Sequence, residues 1–175
     1  VGGIPYDVAV DAANNYMYVV GSSVNPQIEK RYLSNGNLVS SFGTNGTIES
    51  VGRTFTTIAI DPANNYMYVV GADGNLTLII EKRYLSNGAL VSGFGTNGKI
   101  TGDFLSRAHS GIDIDSTFMY LIGSDKNDNA RIEKRYLNNG SLDTCFGTNG
   151  VVTGDALSNF FEGIAKDSNF MYVVG

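Results

Sequence analysis

The sequence predicts an all-β chain, a β-propeller-like array of about three and a half four-stranded antiparallel units. Three observations predict it. Near-identical segments return every 50 to 52 residues. Apolar residues alternate or run continuously over short stretches, with no helical spacing. Turn-forming residues interrupt the pattern at short, regular intervals, as they do in sandwiches, barrels and propellers.

The repeats leave almost no unique sequence. "DAANNYMYVVG" at residues 11–21 returns as "DPANNYMYVVG" at 61–71, "DSTFMYLIG" at 115–123 and "DSNFMYVVG" at 167–175. "IEKRYLSNG" at 28–36 returns at 80–88 and, as "IEKRYLNNG", at 132–140. "FGTNG" stands at 42–46, 94–98 and 146–150. The chain therefore divides into units at about 1–50, 51–101, 102–153 and a partial 154–175. A chain that starts at Val1 with an incomplete last unit is expected to be a piece of a longer protein. A ring completed by other copies is the alternative.

Within the second unit, residues 57–61 ("TIAID") read as a first strand closed by an Asp-Pro-Ala-Asn-Asn turn. Residues 66–71 ("YMYVVG") read as a second, with Tyr66, Tyr68 and Val70 on one face and Met67 and Val69 on the other. Both faces are apolar, so the strand is expected to be covered on both sides. Residues 78–85 form a third strand, closed at Asn87-Gly88. Residues 89–104 supply a loop, a second Asn-Gly turn and a fourth strand. "FGTNG" has neither a phosphate-cradling glycine spacing nor a helix after it, so it reads as a turn.

The segment "RYLNNGSLDTCFGTNGVVTGD" at residues 135–155, with "GIDIDSTFMYLIG" before it, resembles the delta-60 repeat of bacterial and archaeal surface and secreted proteins. The resemblance covers nearly the whole chain. Gly-Ser-Leu-Asp stands only at 140–143, and the other units read "GNLVS" and "GALVS". The resemblance implies a surface-exposed propeller and an extracellular or cell-surface location, with no general activity attached.

Composition narrows the function classes. A formal charge of −5 argues against a nucleic-acid backbone as partner, since phosphate binding needs clustered Lys and Arg. No apolar run is long enough for a membrane helix. One cysteine, Cys145, excludes an internal disulfide, and it reads as a small half-buried residue rather than a nucleophile. No cofactor motif is present.

Residues that recur at equivalent positions read as scaffold. Glu29/Arg31, Glu81/Arg83 and Glu133/Arg135 are expected to be structural ion pairs, and Tyr32, Tyr84 and Tyr136 to be packing residues. The exceptions are the site candidates. Asp113 and Lys166 break the apolar first strand and could face a ligand along an inner wall, and His109 is the lone histidine. Asp125, Asn127 and Asn129 alternate as in a calcium loop, without its glycine and twelfth-position glutamate. Asn45, Asn75 and Asn139 begin glycosylation triplets, relevant if the chain is secreted.

The expectation is a non-enzymatic extracellular module for structure, adhesion or assembly. Its partners would be protein or carbohydrate at the surface, or other copies through open blade edges. A propeller binding a ligand through the loops at 71–78 and 123–131 is the second reading. A propeller enzyme is the third, and it lacks both tryptophan and a catalytic set placed by motif.

Overall fold

Left-handed backbone at a few asparagine and glycine residues folds each repeat into a four-strand meander. The computed structural model describes residues 3–22, 25–105, 111–125, 127, 129–153 and 161–175. Unit 1 comprises β1 (Ile4–Asp11), β2 (Tyr16–Ser22), β3 (Pro26–Tyr32) and β4 (Thr47–Glu49). Unit 2 comprises β5 (Arg53–Asp61), β6 (Tyr66–Asp73), β7 (Thr77–Tyr84) and β8 (Lys99–Leu105). Unit 3 comprises β9 (Gly111–Ile114), β10 (Phe118–Ser124), β11 (Ala130–Tyr136) and β12 (Val151–Thr153). A hairpin of β13 (Gly163–Lys166) and β14 (Met171–Val174) begins unit 4.

Neighbouring strands pair antiparallel within each unit, and units 2 and 3 also touch through the single pairing of Leu105 with Ser124. The register repeats: Val8–Val19–Glu29, Ile58–Val69–Glu81 and Ile112–Leu121–Glu133 lie in equivalent rows. No α-helix occurs among the described residues; one short 3-10 turn, Pro62–Asn64, follows β5 and is capped by Asp61. The described residues form no closed ring.

The two Asn-Gly pairs of a unit do different work. At Asn97-Gly98 both residues have positive φ (53° and 85°), and Thr96 and Lys99 exchange backbone hydrogen bonds. That is a two-residue hairpin of the primed type, whose twist suits the strands it joins. At Asn87-Gly88 only Gly88 is left-handed, and its N–H donates to the Tyr84 carbonyl. The second pair therefore ends a wider loop.

Bulges at Pro5–Asp7 and Phe55–Thr57 bring the first strand close to the second. A Cβ at Gly71 would collide with the Thr54 carbonyl oxygen, so this strand position needs glycine.

Hydrophobic cores lie between units rather than within them. One joins Tyr18, Val20, Ile28 and Phe42 of unit 1 to Ile58, Met67, Val69 and Leu85 of unit 2. The next joins Tyr68, Val70, Ile80 and Phe94 to Met119, Leu121 and Leu137. β6 thus buries Tyr68 and Val70 on one face and Met67 and Val69 on the other, as its alternation predicts. The phenylalanine of the FGTNG loop anchors this packing. Phe42 and Phe94 are fully buried, whereas Phe146 is half-buried.

That difference makes an internal control. Phe94→Ala is expected to cost about 3–5 kcal/mol, the usual loss for a buried aromatic side chain. Phe146→Ala is expected to cost clearly less. Urea denaturation of the two variants measures both; equal losses would contradict the shared-core packing.

Candidate functional site

The polar residues of the repeat gather at the seams between units. On β3, Lys30 points away from Glu29 and Arg31 and crosses to unit 2. Its Nζ donates to the Leu85 carbonyl at 3.0 Å, and the Tyr18 hydroxyl donates to the same oxygen at 3.3 Å. Lys82 and Tyr68 repeat this on the Leu137 carbonyl, at 2.9 and 3.3 Å. Each ammonium lies over an aromatic ring, Tyr16 at 3.9 Å and Tyr66 at 4.0 Å from the centroid. Burial pushes both lysines below their ordinary pKa, and it drives the Tyr18 and Tyr68 phenols well above theirs.

The opposite face of the same strands carries the ion pairs. Glu81 is fully buried; it takes Arg53 at 2.6 Å, Arg83 at 2.7 Å and Lys99 at 3.3 Å. Arg83 Nη1 donates to the Gly88 carbonyl, as Arg31 and Arg135 do to Gly36 and Gly140. Glu133 pairs with Arg131 and Arg135. The sequence expectation of structural ion pairs holds in all three units. Tyr32, Tyr84 and Tyr136 pack on Tyr16, Tyr66 and Phe118 with ring centroids 5.6, 5.6 and 4.9 Å apart.

The third seam departs from the pattern, and it collects two of the sequence candidates. Asp113 stands where Ala9 and Ala59 stand, directly across the pairing from Tyr120. Its carboxylate accepts from the Ile114 N–H. Lys166 stands where Ile60 and Ile114 stand; its Nζ is 3.9 Å from Asp115 Oδ2 and 5.8 Å from the centre of the Tyr120 ring. Tyr120 donates to Asp115 Oδ2 at 2.8 Å. Burial and this carboxylate push its phenol up to about 12.

Sequence reasoning missed Asp143 here. It replaces Val39 and Val91, and its Oδ2 takes Lys134 at 2.9 Å. The contrast of "GSLD" with "GNLV" and "GALV" was the available clue.

The loops expected to vary fold alike. Asp73 Oδ1 accepts from the N–H groups of Asn75 and Thr77, and Asp125 Oδ1 accepts from those of Asn127 and Asn129. Asn129 Nδ2 also donates to Asp125 Oδ2. Those donors, led by the Asn129 side chain, hold the Asp125 carboxyl below its usual range, and the Thr77 N–H leads the same effect at Asp73. Asp125, Asn127 and Asn129 therefore serve one another as an aspartate-anchored turn. Among the described residues no group of three His, Cys, Asp or Glu side chains is placed to hold a metal.

Asn45, Asn75 and Asn139 are exposed. His109 lies outside the described residues. Cys145, expected half-buried, is exposed, as Ser41 and Gly93 are at the equivalent positions, while Asp143 two residues before it is buried.

Two equivalent clefts of about 240 Å³ open at the rims of the first two seams. One is lined by Asp11, Asn14, Tyr16 and Lys30, the other by Asp61, Asn64, Tyr66 and Lys82. A carboxylate, an amide, a ring and an ammonium make a surface able to hydrogen-bond a polyhydroxylated ligand.

No protein-family model matches the chain, and no curated protein matches it. No helix among the described residues is long and apolar enough to cross a membrane.

Two predictions test these contacts. Glu81→Leu strands the half-buried Arg83 guanidinium against an apolar seam and is expected to cost about 3–5 kcal/mol. Glu29→Leu, at the more exposed equivalent pair, should cost about 1 kcal/mol or less. Urea midpoints of the two variants give the comparison. Acid should also destabilise the fold. Asp73, Asp115, Asp125 and Asp143 have carboxyls held below their ordinary values, so the unfolded chain takes up protons first. Their contribution is full above the ordinary carboxylate pKa of about 4 and is lost as pH falls through the lower folded values. Denaturation midpoints between about pH 6 and 2 check this, with Asp73→Asn expected to flatten the acid limb.

Proposed function

We propose that this chain is a non-enzymatic extracellular module of β-propeller-type repeats, serving structure, adhesion or assembly. One observation carries the reading: the repeat's lysines and buried tyrosine hydroxyls bind across the seams, and its glutamates and arginines pair within each unit. Lys30 and Lys82 hold neighbouring carbonyls, and Glu29, Glu81 and Glu133 neutralise arginines at equivalent positions. A catalytic group must keep an atom free for substrate, and these groups are committed to the scaffold. The similarity of residues 135–155 to the delta-60 repeat supports the surface location.

The repeated rim clefts favour a second reading, carbohydrate binding at the seams. That places a ligand beside Tyr16 and Tyr66 rather than at the loop tips.

A broad hydrolase screen on the chain is expected to give no turnover. Turnover abolished by Asp113→Asn would overturn the non-enzymatic reading. A glycan array run alongside separates the two readings: retention lost in Lys82→Met supports seam binding, and a blank array supports the scaffold alone.

A further inference from the structure

We propose that Asn87 and Asn139 are modification sites gated by the seams. Each stays an amide while its seam is closed and converts to aspartate or isoaspartate once the seam opens. Both lie at seams whose two halves are within the chain, Asn87 between units 1 and 2 and Asn139 between units 2 and 3.

Asn-Gly is the dipeptide most prone to this chemistry, because glycine puts no side chain in the path of ring closure. The Gly88 nitrogen loses its proton and attacks Asn87 Cγ. A nitrogen–carbon bond forms and the bond from Cγ to Nδ2 breaks. The side-chain nitrogen leaves as ammonia, carrying the proton that the backbone lost. Water then opens the cyclic imide at either carbonyl. One opening gives aspartate; the other gives isoaspartate, whose main chain is one carbon longer.

The electrophile is already prepared. Asn87 Oδ1 accepts from the Ala89 N–H at 2.9 Å, and Asn139 Oδ1 accepts from the Ser141 N–H and hydroxyl, both at 2.9 Å. Negative charge develops on that oxygen during attack, so these donors favour the reaction.

The nucleophile is what the seam withholds. Gly88 is buried, and a Cβ there would collide with Ile48 and press on Phe42, both of unit 1. Gly140 lies in the same way under Ile100 and Phe94 of unit 2. Burial keeps water from the N–H that must lose its proton. The peptide between Asn87 and Gly88 is also pinned at both edges. Its N–H donates to the Tyr84 carbonyl at 2.8 Å, and its carbonyl accepts from the Gly43 N–H of unit 1 at 3.2 Å. The peptide between Asn139 and Gly140 is pinned by Tyr136 at 2.8 Å and by Gly95 of unit 2 at 3.1 Å. The nitrogen cannot turn its face to Cγ until the preceding unit withdraws.

Asn97-Gly98 supplies the contrast. Its buried glycine is enclosed by Leu90 and Val91, and its N–H donates to the Phe94 carbonyl, all of unit 2. Opening a seam leaves this pair closed. Conversion at Asn87 or Asn139 runs one way, because the slot over the glycine has no room for a further carbon. A seam that has opened is marked and does not reseat.

Peptide mapping by mass spectrometry, with fragmentation to locate each site, follows conversion in the folded chain at mildly alkaline pH. Asn87 and Asn139 are expected to convert at least about tenfold more slowly than in the chain unfolded in urea, since only opened molecules react. Ile48→Ala uncovers Gly88 and is expected to speed Asn87 about threefold or more, while Asn97 and Asn139 keep their rates. Ile100→Ala should speed Asn139 and spare Asn87. Circular dichroism reports folding; where Ile48→Ala unfolds the chain, Ile48→Val takes its place and the same pattern is expected. Equal rates in the folded and unfolded chain overturn the proposal. A folded variant in which all three sites speed together, or in which Asn87 does not speed, overturns it as well. The converted chain, separated by its added negative charge, is expected to unfold at lower urea than the unconverted chain, and an equal midpoint would remove the one-way mark.

Discussion

The structure depends on one constraint: a four-stranded sheet with apolar side chains on both faces must be covered twice. A single unit cannot satisfy this, because its own strands fill only the plane. Stability therefore comes from the seam, where Tyr18, Ile28 and Phe42 of one unit meet Met67, Val69 and Leu85 of the next. The buried lysine belongs to the same constraint. An ammonium taken from water needs an acceptor, and the Leu85 or Leu137 carbonyl of the neighbouring unit supplies it. Apolar packing sets how close two units lie, and the lysine sets their register.

Much of this was legible in the chain. The interval between FGTNG copies marks the units, and the alternation in "YMYVVG" states that both faces are covered. The ion pairs could be read from Glu and Arg two positions apart on a strand, which places them on one face. What could not be read was the partner of the lysine between them. Lys30 binds a backbone carbonyl 55 residues away, and a carbonyl leaves no mark in the sequence. The two Asn-Gly pairs also look alike as letters, although only one takes left-handed geometry at both residues. The hydrogen bonds of the surrounding loop decide that difference.

The third seam shows what the repeat tolerates. Asp113, Asp143 and Lys166 enter at positions that are apolar in other units, and they enter together around Tyr120. Lys30 and Lys82 hold a carbonyl of the next unit, while Lys134 holds the Asp143 carboxylate of its own. Asp143 is thus compensated within its own unit, and Lys166 brings a positive charge against Asp115. Neither substitution is explained by its own strand alone. Repetition made them visible, because each can be compared with the residue that does the same job elsewhere.

The loops at Asp73 and Asp125 have a consequence of another kind. Both are held by one carboxylate accepting from two backbone N–H groups, those of Asn75 and Thr77 in one loop and of Asn127 and Asn129 in the other. The donors at Asn75 and Asn127 are backbone N–H groups, so the side chains at those two positions can change without disturbing the sheets beneath. A chain built this way can alter what a loop tip presents to solvent while the hydrogen bonds that shape the loop stay the same.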